Sequence, residues 1–550
     1  MLPEDAVPVD AVSVTASTPS PARERPTHRG SGGSSGPAAT LAAGAGPPSA
    51  SSASSDSRLG RVTSFGALLT CLLGAFGLTC VMALISAPGA HPDEVNHAAA
   101  ARYFTDHWLP PRTDAETLRP SMSPYGVSYL AELDFTYLFA GKTASLVPLD
   151  ATRDHLRFRL FNVLLLAALV AVYALYRTAF SPIALLLLTP QTWYVFSYAN
   201  NDALPLAASL LLVHVAVAPT DRAPAFVAPI GRGVTRAAIC GALAGVLVLT
   251  KANYALFLAF VALLALWRIA GRVPALAAIA GVGVYLAQER AFLPITGELA
   301  ATILAAGTLI ALAALAVRAR RDPEVRRSTA AVLIAAALAA GVAIPPIAYD
   351  VALNGAPAEK NAALSDLGKA NAEIDRRPSP EGRVRAFGSR LRRDGVSIAD
   401  MFRAPWSWPQ NTWKSFTGYY GHMDISSPFA YYLGIALVYV WLAAFLARAW
   451  LAQLWRSELG PEDFALAVVA CGFAALTLAI SFYHSWVNDF QAQGRYVFPA
   501  LAILSAPFAR AAMRLDARGQ RQLGAVFVTA FALGVFSFGY RGLRRIPTAL

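Results

Sequence analysis

Four short polar stretches stand out from an otherwise apolar chain, and each carries side chains able to move protons or hold charge. The first, HPDEVNH at residues 91–97, follows directly on an apolar run and sets Asp93 beside Glu94, with His97 one helical turn further on. The second places Asn201 and Asp202 between two apolar runs. The third is Lys251 in LTKANY, and the fourth is QAQGRYVFP, with Arg495 and Tyr496 ahead of another apolar run. A carboxylate at the edge of a bilayer is partly desolvated, which raises its pKa and suits it to proton transfer. An arginine presents a planar fork of donors shaped for a phosphate. An ionisable group such as Lys251 at membrane depth is a functional candidate by default.

Each stretch also has a plainer structural reading. Pro92 suits a first helical position, so Asp93 and Glu94 fall in a first turn, where carboxylates complement the helix dipole by about 0.3 to 1 kcal/mol. Asn and Asp suit tight turns, Lys251 could close a helix at the interface, and Arg495 could snorkel there. The aromatic stretch MFRAPWSWPQNTWKSFTGYYGHM, residues 401–423, includes Trp413, Tyr420 and His422. It serves equally as an interfacial belt or as a stacking surface for sugar rings and a lipid chain.

Membrane helices must position these groups. The 550 residues are 56% hydrophobic and only 15% charged, with mean hydropathy +0.46, whereas a globular chain is nearer a quarter charged. The reading is an all-α polytopic membrane protein. Its net charge of +12 implies no nucleic-acid partner, because the basic residues gather between apolar runs, as orientation signals do. Only 5 of the 46 basic residues are lysines and alanine is abundant, which points to a GC-rich bacterial host. Cys71, Cys80, Cys240 and Cys471 all lie inside apolar runs without metal-ligand spacing, so they read as packing residues.

Residues 1–60 are rich in Ser, Pro, Ala and Gly and read as a disordered cytoplasmic tail. Apolar runs long enough to cross about 30 Å of hydrocarbon then recur at 65–87, 157–177, 182–199, 203–219, 236–250, 253–268, 273–287, 298–317, 329–349, 429–447, 463–483, 496–511 and 523–540, which gives about 13 transmembrane helices. Arg58 and Arg61, Arg177, the RARRDPEVRR turn and Arg510 to Arg521 all fall on one side, which the positive-inside rule makes cytoplasmic. The N-terminal membrane domain is 61–350, with an external loop at 88–156. A second external loop spans 351–428, and C-terminal membrane helices fill 429–550. Arg541, Arg544 and Arg545 follow the last helix on the outer side and run against the rule.

The order of an apolar run, PDE-x-x-H and an amphipathic stretch with Arg and aromatics resembles the first external loop of the glycosyltransferase C superfamily, which includes protein O-mannosyltransferases and aminoarabinose transferases. SYANNDALPLAAS (197–209), NTWKSFTGYYGHM (411–423) and QAQGRYVFPALAIL (491–504) resemble later external segments of that group in the same order. The resemblance implies a glycosyltransferase C-like fold in a bacterial plasma membrane with its site on the external face. It implies transfer of a sugar from a polyprenyl-phosphate donor to a cell-envelope acceptor, with Asp93 as base and Glu94 as its neighbour. Arg495 and Lys251 would take the donor phosphate, with Arg102 and Arg119 behind them. No cofactor is required by this reading, though it leaves room for a divalent cation. Inversion at the anomeric carbon is the simpler outcome, since no second nucleophile is evident. A multi-spanning transporter or lipid flippase, or a polysaccharide polymerase or ligase, are the rival readings. A transporter would carry paired repeats with matched broken helices, and none is visible.

Overall fold

The computed structural model describes residues 50–149, 153–217, 232–289, 296–372, 391–456 and 460–549. The helices in chain order are α1 (Ala50–Ile85), α2 (Glu94–Asp106), α3 (Phe135–Ser145), α4 (Asp154–Tyr176), α5 (Pro190–Val195), α6 (Ala203–Val217), α7 (Arg232–Val248), α8 (Ala255–Ala270) and α9 (Arg272–Glu289), followed by α10 (Gly297–Arg321), α11 (Pro323–Asn354), α12 (Pro357–Asn371), α13 (Trp408–Thr417), α14 (Phe429–Trp455), α15 (Pro461–Val487), α16 (Phe498–Met513) and α17 (Ala517–Val535). A two-stranded antiparallel hairpin, β1 (Tyr419–Tyr420) and β2 (Ile425–Ser426), pairs Tyr420 with Ile425.

Among the described residues nine helices are long and apolar enough to cross a membrane, and three shorter apolar helices accompany them. The fold is thus an all-α polytopic membrane architecture. Of the thirteen apolar runs, 182–199 is not a continuous helix. It forms a 3₁₀ turn, Pro182–Leu188, and then the short α5, each opening on a proline. Pro190 brings no backbone donor and would clash with the carbonyl four residues back, which ends a helix. The carbonyl set free there, that of Leu186, accepts from Thr192 Oγ1 at 2.9 Å and Trp193 Nε1 at 2.8 Å. Tyr439 Oη donates to the Leu188 carbonyl at 2.9 Å, so this buried irregular backbone is satisfied by side chains. Most of residues 1–60 lie outside the described set. The backbone of α1 is already helical from Ala50, because a nucleated helix lengthens by one hydrogen bond per residue.

The largest hydrophobic core of the unit Ser51–Leu550 draws on both ends of the chain: Leu68, Leu72 and Met82 of α1 pack with Tyr194, Phe498, Phe527 and Phe538. The C-terminus returns to the end of α1, where Ala87 N donates to the Pro547 carbonyl at 2.8 Å and Ala549 N to that of Ile85 at 2.9 Å. The C-terminal arginines therefore lie on the same face as the HPDEVNH stretch, although they run against the charge rule. The two long loops also meet on this face. Thr113 N donates to Asn354 Oδ1 at 2.9 Å, while Tyr125 Oη of the first loop reaches Asp489 Oδ2, in the segment between α15 and the GRY turn, at 3.2 Å.

Candidate functional site

Asp93, Asp202, Lys251 and Arg495 come from four separate helix ends, and the fold gathers them into one cluster. Asp93 caps α2 with φ 58°, yet its side chain makes no capping hydrogen bond. Its Oδ2 instead stands 3.6 Å from Arg495 Nη2. Asp202 sits in the turn before α6 and is 1% exposed. It takes Lys251 Nζ at 2.6 Å on one oxygen and faces Arg495 Nη1 at 3.4 Å on the other. Burial works to raise the Asp202 carboxyl, but the charges of Lys251 and Arg495 outweigh it and hold it below the usual carboxylate range. Both cations also lie over the Tyr496 ring, at 4.9 and 5.6 Å from its centre.

Arg495 is aimed by its neighbours. Its Nε donates to Gln493 Oε1 at 2.6 Å, and Gly494 N donates to Ser415 Oγ of α13 at 2.6 Å. A Cβ on Gly494 would stand 2.2 Å from the Phe416 backbone, so only glycine lets the GRY turn approach α13 this closely. Asn201 turns the other way and donates to Asp134 Oδ2 at 3.0 Å, while Thr136 N donates to Asp134 Oδ1 at 2.8 Å. Burial raises the Asp134 carboxyl. Beside it, the exposed Glu132 is raised by surrounding protein and then by the charge of Asp134.

His97 is buried between aromatic rings. It stacks on Tyr129 at 4.6 Å between centres, and its Nδ1 pairs with Tyr137 Oη at 2.8 Å. Burial pushes its imidazole down to about 3, so it is neutral near neutral pH. Tyr129 is also raised by burial and then by the Asp93 charge, which leaves its phenol a donor.

The other candidates from the sequence lie elsewhere. Arg102 pairs with Asp154 and Arg119 with Glu116, both arginines being largely exposed. Trp413 packs edge-on against Tyr439. Tyr420 is fully buried with its hydroxyl 2.8 Å from Ser537 Oγ, and His422 Nε2 pairs with the Gly89 carbonyl at 2.8 Å. Among the described residues no group of three or more His, Cys, Asp or Glu is arranged to hold a metal ion. No family model, curated protein or solved structure matches the chain.

Glu94 does not share the open position of Asp93. It is buried, and Arg159 Nε and Nη2 meet its two oxygens at 2.6 and 2.9 Å. Arg159 is absent from the sequence-based candidates, although a signal existed: RFRLFN puts arginines at the end of an apolar run that the charge pattern makes external, against the orientation rule. The cluster therefore offers one carboxylate that is both loosely paired and open, with Asp93 39% exposed, next to two cations fixed on a buried aspartate. That arrangement can accept a proton at Asp93 and stabilise an anion at Arg495 and Lys251.

Proposed function

We propose that the chain is a membrane glycosyltransferase that moves a sugar from a polyprenyl-phosphate donor to a hydroxyl of a cell-envelope acceptor, on the external face of a bacterial plasma membrane. The observation that carries this reading is the meeting of Asp93, Asp202, Lys251 and Arg495, spread over some four hundred residues of sequence, at one cluster. The acceptor oxygen attacks the anomeric carbon as the bond from that carbon to the phosphate oxygen breaks, and the acceptor proton passes to Asp93. The electron pair leaves with the phosphate, whose growing charge faces Arg495 and Lys251, and general-base help of this kind is worth roughly 10² to 10⁴ in rate. Asp202 holds the two cations in place. A single displacement inverts the anomeric centre.

Arg102 and Arg119 have no part in this scheme, since each is paired on the surface of the first loop. Glu94 takes no proton in it. The test is to reconstitute the purified protein in liposomes with radiolabelled polyprenyl-phosphate sugars and follow release of polyprenyl phosphate together with acceptor labelling. Movement of intact donor across the bilayer without its cleavage would instead support the flippase reading.

A further inference from the structure

The buried Arg159 has no place in the chemistry just described, yet the structure surrounds it with more hydrogen-bond partners than any other arginine near the site. It enters from the first turns of α4 and is 1% exposed. Besides its two contacts with Glu94, its Nη1 donates to the carbonyls of Ala83 and Ser86, both at 2.8 Å, and its Nη2 to that of Ala87 at 2.9 Å. A guanidinium has five N–H groups, and these five contacts use them all. Three of the acceptors are carbonyls at the end of α1, where a helix leaves its last C=O groups without partners.

Glu94 carries the link onward. Its Oε2 also accepts from Gly89 N at 3.1 Å, so the α1 end, the Gly89 turn and the first residue of α2 are tied to one guanidinium. Asp93 lies inside this loop of contacts. It adopts a left-handed backbone at φ 58°, and Gly89 does so at φ 72°, a conformation open to glycine and accessible to Asp or Asn at a modest cost, so the contacts around the corner help to hold it. Among the described residues no hydrogen bond or ion pair joins Arg159 directly to Asp93.

We propose that Arg159 is a positioning residue for Asp93, acting through Glu94 to hold the α1–α2 corner in the left-handed conformation that aims the Asp93 carboxylate at Arg495. This rests on the reading of Asp93 as the base, so the experiment has one readout that needs no substrate. Hydrogen–deuterium exchange by mass spectrometry is followed on the detergent-solubilised full chain in three segments: 86–97, 198–204 and 491–498. Arg159→Met and Glu94→Gln should each speed exchange in 86–97 by roughly tenfold or more while leaving the other two segments within about twofold. Arg159→Lys, which keeps the charge but offers three donors from a single nitrogen, should fall between wild type and Arg159→Met. If Arg159→Met yields no folded protein, Glu94→Gln and Arg159→Lys decide by the same criterion. Unchanged exchange in 86–97, or an equal rise in all three segments, would overturn the proposal.

The second readout is transfer itself. A displaced base should lower kcat at least about tenfold with the donor KM nearly unchanged, and Arg159→Lys should recover part of that loss. A fall in both parameters that tracks the amount of folded protein would contradict a positioning role. If wild type transfers no sugar from any polyprenyl-phosphate donor, the functional reading fails and the exchange data alone judge the corner.

Discussion

At the scale of residues, the carboxylates differ by their partners. Asp202 is the buried anchor, and Lys251 its close counter-ion. Lys251→Met should destabilise the protein by about 2 to 4 kcal/mol, somewhat less than a fully orphaned buried charge costs, because Arg495 still faces Asp202. Adding Asp202→Asn should restore part of that loss, read as unfolding midpoints in detergent. His97 gives a pH signature. Its folded form titrates at about 3 against an unfolded value of about 6.5. Between those values only the unfolded chain binds the proton, so stability is fully present above the unfolded value and falls as pH drops toward the folded one. His91 is lowered in the same sense by its burial and then by the charges of Arg159 and His422. His97→Gln should therefore flatten, without abolishing, the loss of thermal stability between about pH 6.5 and about pH 5.

At the scale of elements, the GRY turn and α13 form one unit that sets the reach of Arg495. Gly494→Ala places a methyl group against the Phe416 backbone, and backbone cannot swing aside as a flexible side chain can. The turn must shift, which should cost about 1 to 3 kcal/mol and lower transfer through displacement of Arg495, seen as reduced turnover in protein that still inserts and purifies. Much of this level was legible in the sequence. The long helices follow from their apolar runs, and Asp93, Lys251 and Arg495 stood out because charge is rare in such a chain. Pro190, which breaks 182–199, is also visible in the sequence, but that run was read from its length and hydropathy alone. Tyr129, Asp134 and Glu132 were not legible, since they sit in a loop whose path depends on packing against α2 and the 200–202 turn rather than on any local pattern.

At the scale of the whole molecule, the fold brings the α1 end, the 200–202 turn, Lys251, the GRY turn and the C-terminus to a single face. The RARRDPEVRR turn between α10 and α11 falls at the opposite ends of those helices. In intact cells a membrane-impermeant thiol reagent should therefore label Glu116→Cys and Asp366→Cys, both at exposed positions in the two long loops. Arg320→Cys should react only after permeabilisation. Labelling of Arg320→Cys alone in intact cells would place the cluster on the cytoplasmic side, where a polyprenyl-phosphate donor facing outward could not reach it.

The central claim is that Asp93 is the base of a sugar transfer, and the most direct measurement compares wild type with Asp93→Asn in liposomes supplied with labelled polyprenyl-phosphate sugar. Asparagine keeps the size of the side chain and tolerates the left-handed backbone, so folding and insertion should be normal while transfer falls by roughly 10² or more. Transfer by Asp93→Asn at the wild-type rate would contradict the account.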